Sequence, residues 1–106
     1  MTDTFLYVLR PNRLEILTEG PTDEETRTLE RHVQYLQELL ASDVVTLFGR
    51  TQTTTPDTMG LVILHARDES AARALMQSDP AVVDGLMSAT LYPYRIAGMR
   101  ATSRDA

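Results

Sequence analysis

Three residue types are absent from this chain, and each absence excludes chemistry. There is no lysine, so all 10 basic side chains are arginine. Schiff-base catalysis, a pyridoxal anchor and a phosphate-loop lysine are therefore ruled out. There is no cysteine, which removes thiolate nucleophiles, disulfides, thiolate zinc sites and iron–sulfur clusters. Tryptophan is missing as well. No apolar run approaches the roughly 18 residues of a membrane span. The opening Met1-Thr2-Asp3-Thr4 lacks the basic region of a signal peptide. With 15 acidic against 10 basic side chains the formal charge is −5, the wrong sign for gripping a phosphate backbone. The expectation is a cytoplasmic protein with no nucleic-acid or membrane partner.

What remains is ordinary globular composition, 42% hydrophobic and 24% charged over 106 residues. That composition and length suit one compact domain, placed at residues 1–100, with a flexible tail at 101–106. Residues 4–10 (TFLYVLR) read as a strand with Phe5, Tyr7 and Leu9 on one face and Leu6 and Val8 on the other. Both faces are apolar, which places this strand centrally. The proline-bounded stretch 11–21 reads as a loop. Thr22-Asp23-Glu24-Glu25 fits a capping box at the start of a helix. Leu29, Val33, Leu36 and Leu40 form its apolar stripe. Strands follow at 44–50 and Gly60–Ala66, separated by the polar turn TQTTTPDTM at 51–59. Asp68 caps a second helix with Ala71, Ala72, Leu75 and Met76 inward. Asp79-Pro80 breaks it and opens a short turn ended by Gly85. The last strand is expected at 89–96, at a sheet edge because Pro93 cannot donate to a ladder on both sides.

The order βαββαβ, with right-handed crossovers, gives a ferredoxin-like α+β fold with a four-stranded antiparallel sheet ordered 4-1-3-2. Two helices cover only one face of such a sheet. Its other face carries apolar side chains from every strand, an uncomfortable surface for a monomer. A homodimer through that uncovered face is expected.

Few residues can carry chemistry. His32 sits on the flank of the helical stripe, about 60° from its centre. The plain reading is a packed histidine hydrogen-bonded to a carbonyl. His65 lies in phase with Leu61 and Ile63 and reads as a core or dimer-face residue. Asp79 before Pro80 is a good N-cap in its own right, and a functional role requires it to meet His32. Arg10 and Arg50, at strand ends, are candidate substrate-binding anion clamps, because a guanidinium takes a carboxylate in a bidentate fork. Solvated surface charge is the competing reading. Gly49 beside Arg50 signals a bulge or a close ligand approach. No HExxH, GxGxxG, GxSxG or EF-hand pattern occurs. A metal site would need two distant histidines and scattered carboxylates, so neither metal nor cofactor is expected.

Taken in order, RHVQYLQEL at 31–39, FGRT at 48–51, GLVIL at 60–64, ESAARAL at 69–75 and SDPAVVDGL at 78–86 resemble the YciI-like (YCII-related) family over 5–96. The resemblance implies a dimeric α+β barrel with a His–Asp pair in a pocket of each protomer, mapping onto His32 and Asp79 as catalytic residues. Members of that family are mostly uncharacterised. Some resemble muconolactone isomerase, and dehydrochlorination of a chlorinated hydroxyhydroquinone occurs among them. The DGPF motif of one subgroup is absent here, so that subgroup's associations do not carry over. In such a pair Asp79 orients the imidazole and supports its charged form, as the acid of a catalytic triad does, and His32 moves a proton. Without a serine or cysteine nucleophile in an evident motif, isomerisation or elimination on a small cyclic or aromatic anion is the leading expectation. A non-catalytic small-molecule-binding module and a cofactor-free monooxygenase of the same barrel type stay open beside it.

Overall fold

A computed structural model describes residues 3–100 of the chain; the expected tail at 101–106 lies outside the described residues. The first strand, β1 (Asp3–Pro11), alternates buried Phe5, Tyr7 and Leu9 with half-exposed Leu6 and Val8, as a central strand with two apolar faces must. The proline-bounded segment after it is not all loop. Glu15–Thr18 makes one helical turn, α1, which lets Ile16 and Leu17 turn partly out of water.

The long helix α2 (Asp23–Ala41) begins where its sequence demands. The Thr22 hydroxyl accepts from the Glu25 N–H at 3.1 Å, and the Glu25 carboxylate accepts from the Thr22 N–H at 2.9 Å, a complete capping box. The same carboxylate takes a two-pronged bond from Arg13, at 2.9 and 2.6 Å, so α2 also anchors the segment carrying α1.

After α2 come β2 (Val45–Arg50), β3 (Gly60–Ala66), α3 (Glu69–Gln77), the single turn α4 (Pro80–Val83) and β4 (Met87–Pro93). Asp68 caps α3, and Gly85, at φ +73°, ends α4 in the left-handed conformation that glycine adopts freely. β4 starts two residues earlier than its sequence suggests and stops at Pro93, whose missing N–H interrupts the ladder. The sheet is antiparallel and ordered β2-β3-β1-β4, the expected arrangement, with β4 at an edge. Its one irregularity lies between Val45 and Leu47; Gly49 pairs in regular register with Leu61 and marks no bulge.

One sheet face packs on the helices and forms the core with Leu36, Ala72 and Met76. Against expectation, Val33 and Leu40 of the α2 stripe are exposed, at 45% and 38%. The inward face of α2 instead runs through Thr28, His32, Tyr35, Leu36 and Leu39. His32 is therefore central on the buried face rather than on its flank. The other sheet face is bare and apolar, with Leu47 of β2 and Tyr92 of β4 each 47% exposed. Half-buried Leu6, Val8, Leu61 and Ile63 lie between them. Among the described residues no helix is long and apolar enough to cross a membrane.

The Arg13 guanidinium, through its hydrogen bonds, and then the Thr22 N–H hold the Glu25 carboxyl down from its ordinary 4.5 to about 2. A depressed carboxyl stabilises the fold above its unfolded value, and that contribution disappears as pH falls through the folded value. Arg13→Ala is expected to lower Tm at neutral pH, with the difference from the parent shrinking between pH 4.5 and pH 2. Thermal melts across that range check this. A constant difference would contradict it.

Candidate active site

Asp79 is fully buried, at 0% exposure. A carboxylate there is tolerable only if donors surround it, and three elements supply them. As N-cap of α4, Asp79 accepts from the Ala81 N–H through Oδ1 at 3.0 Å. From α2, His32 Nδ1 donates to the same oxygen at 2.7 Å. From β1, the Tyr7 hydroxyl donates to Oδ2 at 2.8 Å. The N-cap role and the histidine pairing, rival readings from sequence, are made by one carboxylate at once.

The arrangement defines the imidazole. An ionised carboxylate only accepts, so His32 carries a proton on Nδ1, and the neutral imidazole has its lone pair on Nε2. Nε2 makes no hydrogen bond among the described residues, and His32 lines an open cavity of about 560 Å³. The Tyr7 phenol, 1% exposed, is pushed well above the ordinary tyrosine range, first by burial and then by the neighbouring Asp79 charge. It stays protonated and serves as a fixed donor. Tyr35, one turn beyond His32, donates to the Leu75 carbonyl at 2.7 Å and links α2 to α3. Burial and, secondarily, Asp79 push its phenol upward too.

A second contact fixes the distance between α2 and α4. Asp84, which follows α4, accepts from the Thr28 hydroxyl at 2.8 Å and from Arg31. His32 and Thr28, one helical turn apart, thus hold the two ends of α4.

The other candidates separate by strand parity. Arg50 pairs in register with Gly60, which pairs with Leu9, so it points to the helix side and lines the cavity with His32. Among the described residues its side chain makes no salt bridge or hydrogen bond. Arg10 alternates with Tyr7 and Leu9 onto the bare face, where among the described residues its guanidinium reaches only the Asp57 carbonyl at 3.5 Å. The structure does not bring it to His32. His65 is also on that face, each ring nitrogen hydrogen-bonded by a threonine hydroxyl, from Thr4 at 3.1 Å and Thr46 at 2.8 Å. Tyr7 escaped the sequence reading as an ordinary strand aromatic. Its parity with Phe5 and Leu9 was the available signal: a hydroxyl on a buried face needs a partner.

The chain matches the family model described as the YCII-related domain over residues 5–93. No curated protein matches it in sequence. Among solved structures it is similar to 5-chloro-2-hydroxyhydroquinone dehydrochlorinase (TftG) from Burkholderia phenoliruptrix AC1100, determined with 2,5-dihydroxybenzoquinone. The two are 17% identical with a TM-score of 0.61, over 86% of this chain and 93% of that one. An uncharacterized protein from Thermotoga maritima is 11% identical with a TM-score of 0.54, over 90% of this chain and 100% of that one. At these identities the likeness is one of fold.

Removing one donor to a buried carboxylate leaves an acceptor site unfilled. Tyr7→Phe keeps the ring and is expected to lower the unfolding free energy by about 1.5–3 kcal/mol, the range for hydrogen bonds to charged groups. Denaturant titration with an unchanged m-value is the measurement. A loss within about 0.5 kcal/mol, the scale of a neutral surface substitution, would mean that Asp79 does not depend on Tyr7.

Proposed function

The chain belongs to the YCII-related domain family, and from that premise we propose that it is a homodimeric acid–base enzyme. His32, oriented by Asp79, moves a proton on a small cyclic or aromatic anion held in the cavity. The observation that carries this reading is the 2.7 Å bond between His32 Nδ1 and Asp79 Oδ1, in a side chain that lines the cavity and whose Nε2 has no hydrogen-bond partner among the described residues. A buried carboxylate behind an imidazole supports the cation that forms when Nε2 accepts a proton.

Four steps follow from this chain's own residues. Arg50 attracts the anionic oxygen of the ligand from the cavity wall. Nε2 takes a proton from the carbon or oxygen next to that group. The imidazolium is stabilised by Asp79, itself held by Tyr7 and Ala81. The same nitrogen then returns the proton at a neighbouring atom, which is isomerisation, or keeps it while a leaving group departs, which is elimination. Arg10 takes no part, because it lies across the sheet.

Residues 1–100 act as one domain that pairs with a second copy through the bare sheet face. Leu47, Ile63, Leu6, Val8 and Tyr92 cross all four strands there, a contiguous apolar surface of the kind that marks an interaction site. His65 and Arg10 then belong to the interface.

Substituted catechols, quinones and lactones screened in deuterated water test the chemistry, read as turnover or deuterium incorporation. His32→Ala is expected to slow a reacting compound by about 10²–10⁴-fold, the usual worth of a general acid–base group. Retention of the parent rate would remove His32 from the mechanism. Light scattering tests the assembly: a dimer for the parent and a monomer for Leu47→Glu at micromolar concentration. A monomeric parent would contradict the interface.

A further inference from the structure

Of the apolar stripe of α2 only Leu36 is fully buried in the core. His32 must face Asp79, and Thr28 must face Asp84, so the helix is turned and Leu29 and Val33 face the cavity instead. Ile16 and Leu17, on the segment pinned by the Arg13–Glu25 fork, form part of the same wall. Phe48 and Met59 contribute an aromatic face and a polarisable thioether. The polar side chains of the wall are His32, Arg50 and Thr58. The Thr58 hydroxyl already donates to the Thr53 carbonyl at 3.0 Å. Among the described residues no aspartate or glutamate lines the cavity.

From this wall we infer that the cavity takes a monoanionic, hydroxylated fused-ring aromatic molecule of two or more rings. The inference rests on the acid–base reading only for the role of His32 and adds the ligand class to it. Its volume of about 560 Å³ falls in the range of about 300–1,000 Å³ that encloses drug-sized ligands. A single benzene ring leaves most of that apolar wall wet. A sugar or nucleotide brings hydroxyls and amides that find no partners there, and burying them unpaired is unfavourable. One guanidinium and no competing acid match a single negative charge. A phenolic hydroxyl of the ring system meets Nε2.

Calorimetric titration with 2-hydroxybenzoate, 3-hydroxy-2-naphthoate and 3-hydroxyanthracene-2-carboxylate tests the class. Each added ring is expected to lower Kd at least about tenfold, since each buried methylene-sized group is worth about fourfold. Arg50→Ala weakens all three by a similar factor, whereas Val33→Asn reduces the gain per ring. His32→Ala retains the ring trend while losing proton transfer, so the two readings fail separately. A flat or falling trend in the parent protein overturns the ligand class, whatever the proton-transfer assay shows. Tighter binding of glucose 6-phosphate or adenosine monophosphate than of the naphthoate overturns it too.

Discussion

A carboxylate with no exposure at all sets the terms for the rest of this molecule. Asp79 stays buried because a strand, a long helix and a short one each aim a donor at it. Breaking such an arrangement by removing one partner is far more damaging than never having built it, so each element is held in place by the same charge. Its burial keeps β1, α2 and α4 in one relative orientation. That orientation engages one imidazole nitrogen and sets His32 in the cavity wall.

The rotation of α2 follows from this requirement. Local amphipathicity favours burying Leu29, Val33, Leu36 and Leu40, yet only Leu36 of the four is fully buried. Thr28, His32 and Tyr35 take the inward positions because each finds a hydrogen-bond partner there: Asp84, Asp79 and the Leu75 carbonyl. Leu29 and Val33 then line the cavity. A structural requirement for one buried, hydrogen-bonded carboxylate thereby shapes the apolar surface near it.

Much of the fold is legible in local pattern. The capping box at Thr22 and Glu25, the alternation in β1, the cap at Asp68, Gly85 and the edge proline of β4 each act within a few residues. Together with crossover handedness they determine the sheet order. The site is less legible because its contacts are distant in sequence: 47 residues separate His32 from Asp79, and 72 separate Tyr7 from it. Family resemblance supplied the first pairing, and nothing local supplied the second. Arg10 shows a different failure. Its odd separation from the inward Tyr7 already puts it on the opposite face, while Arg50 reaches the cavity side because an irregularity between Val45 and Leu47 shifts the parity of β2.

One proton decides the chemistry of this site. If Asp79 accepts from His32, the neutral imidazole carries hydrogen on Nδ1 and a bare lone pair on Nε2, the form able to take a proton from a ligand in the cavity. Long-range ¹⁵N–¹H correlation spectra of histidine-labelled protein at neutral pH report that tautomer directly. A protonated Nδ1 and an unprotonated Nε2 are expected for His32, with that preference lost in Asp79→Asn. An Nε2-protonated His32 in the parent protein, unchanged by Asp79→Asn, would contradict it.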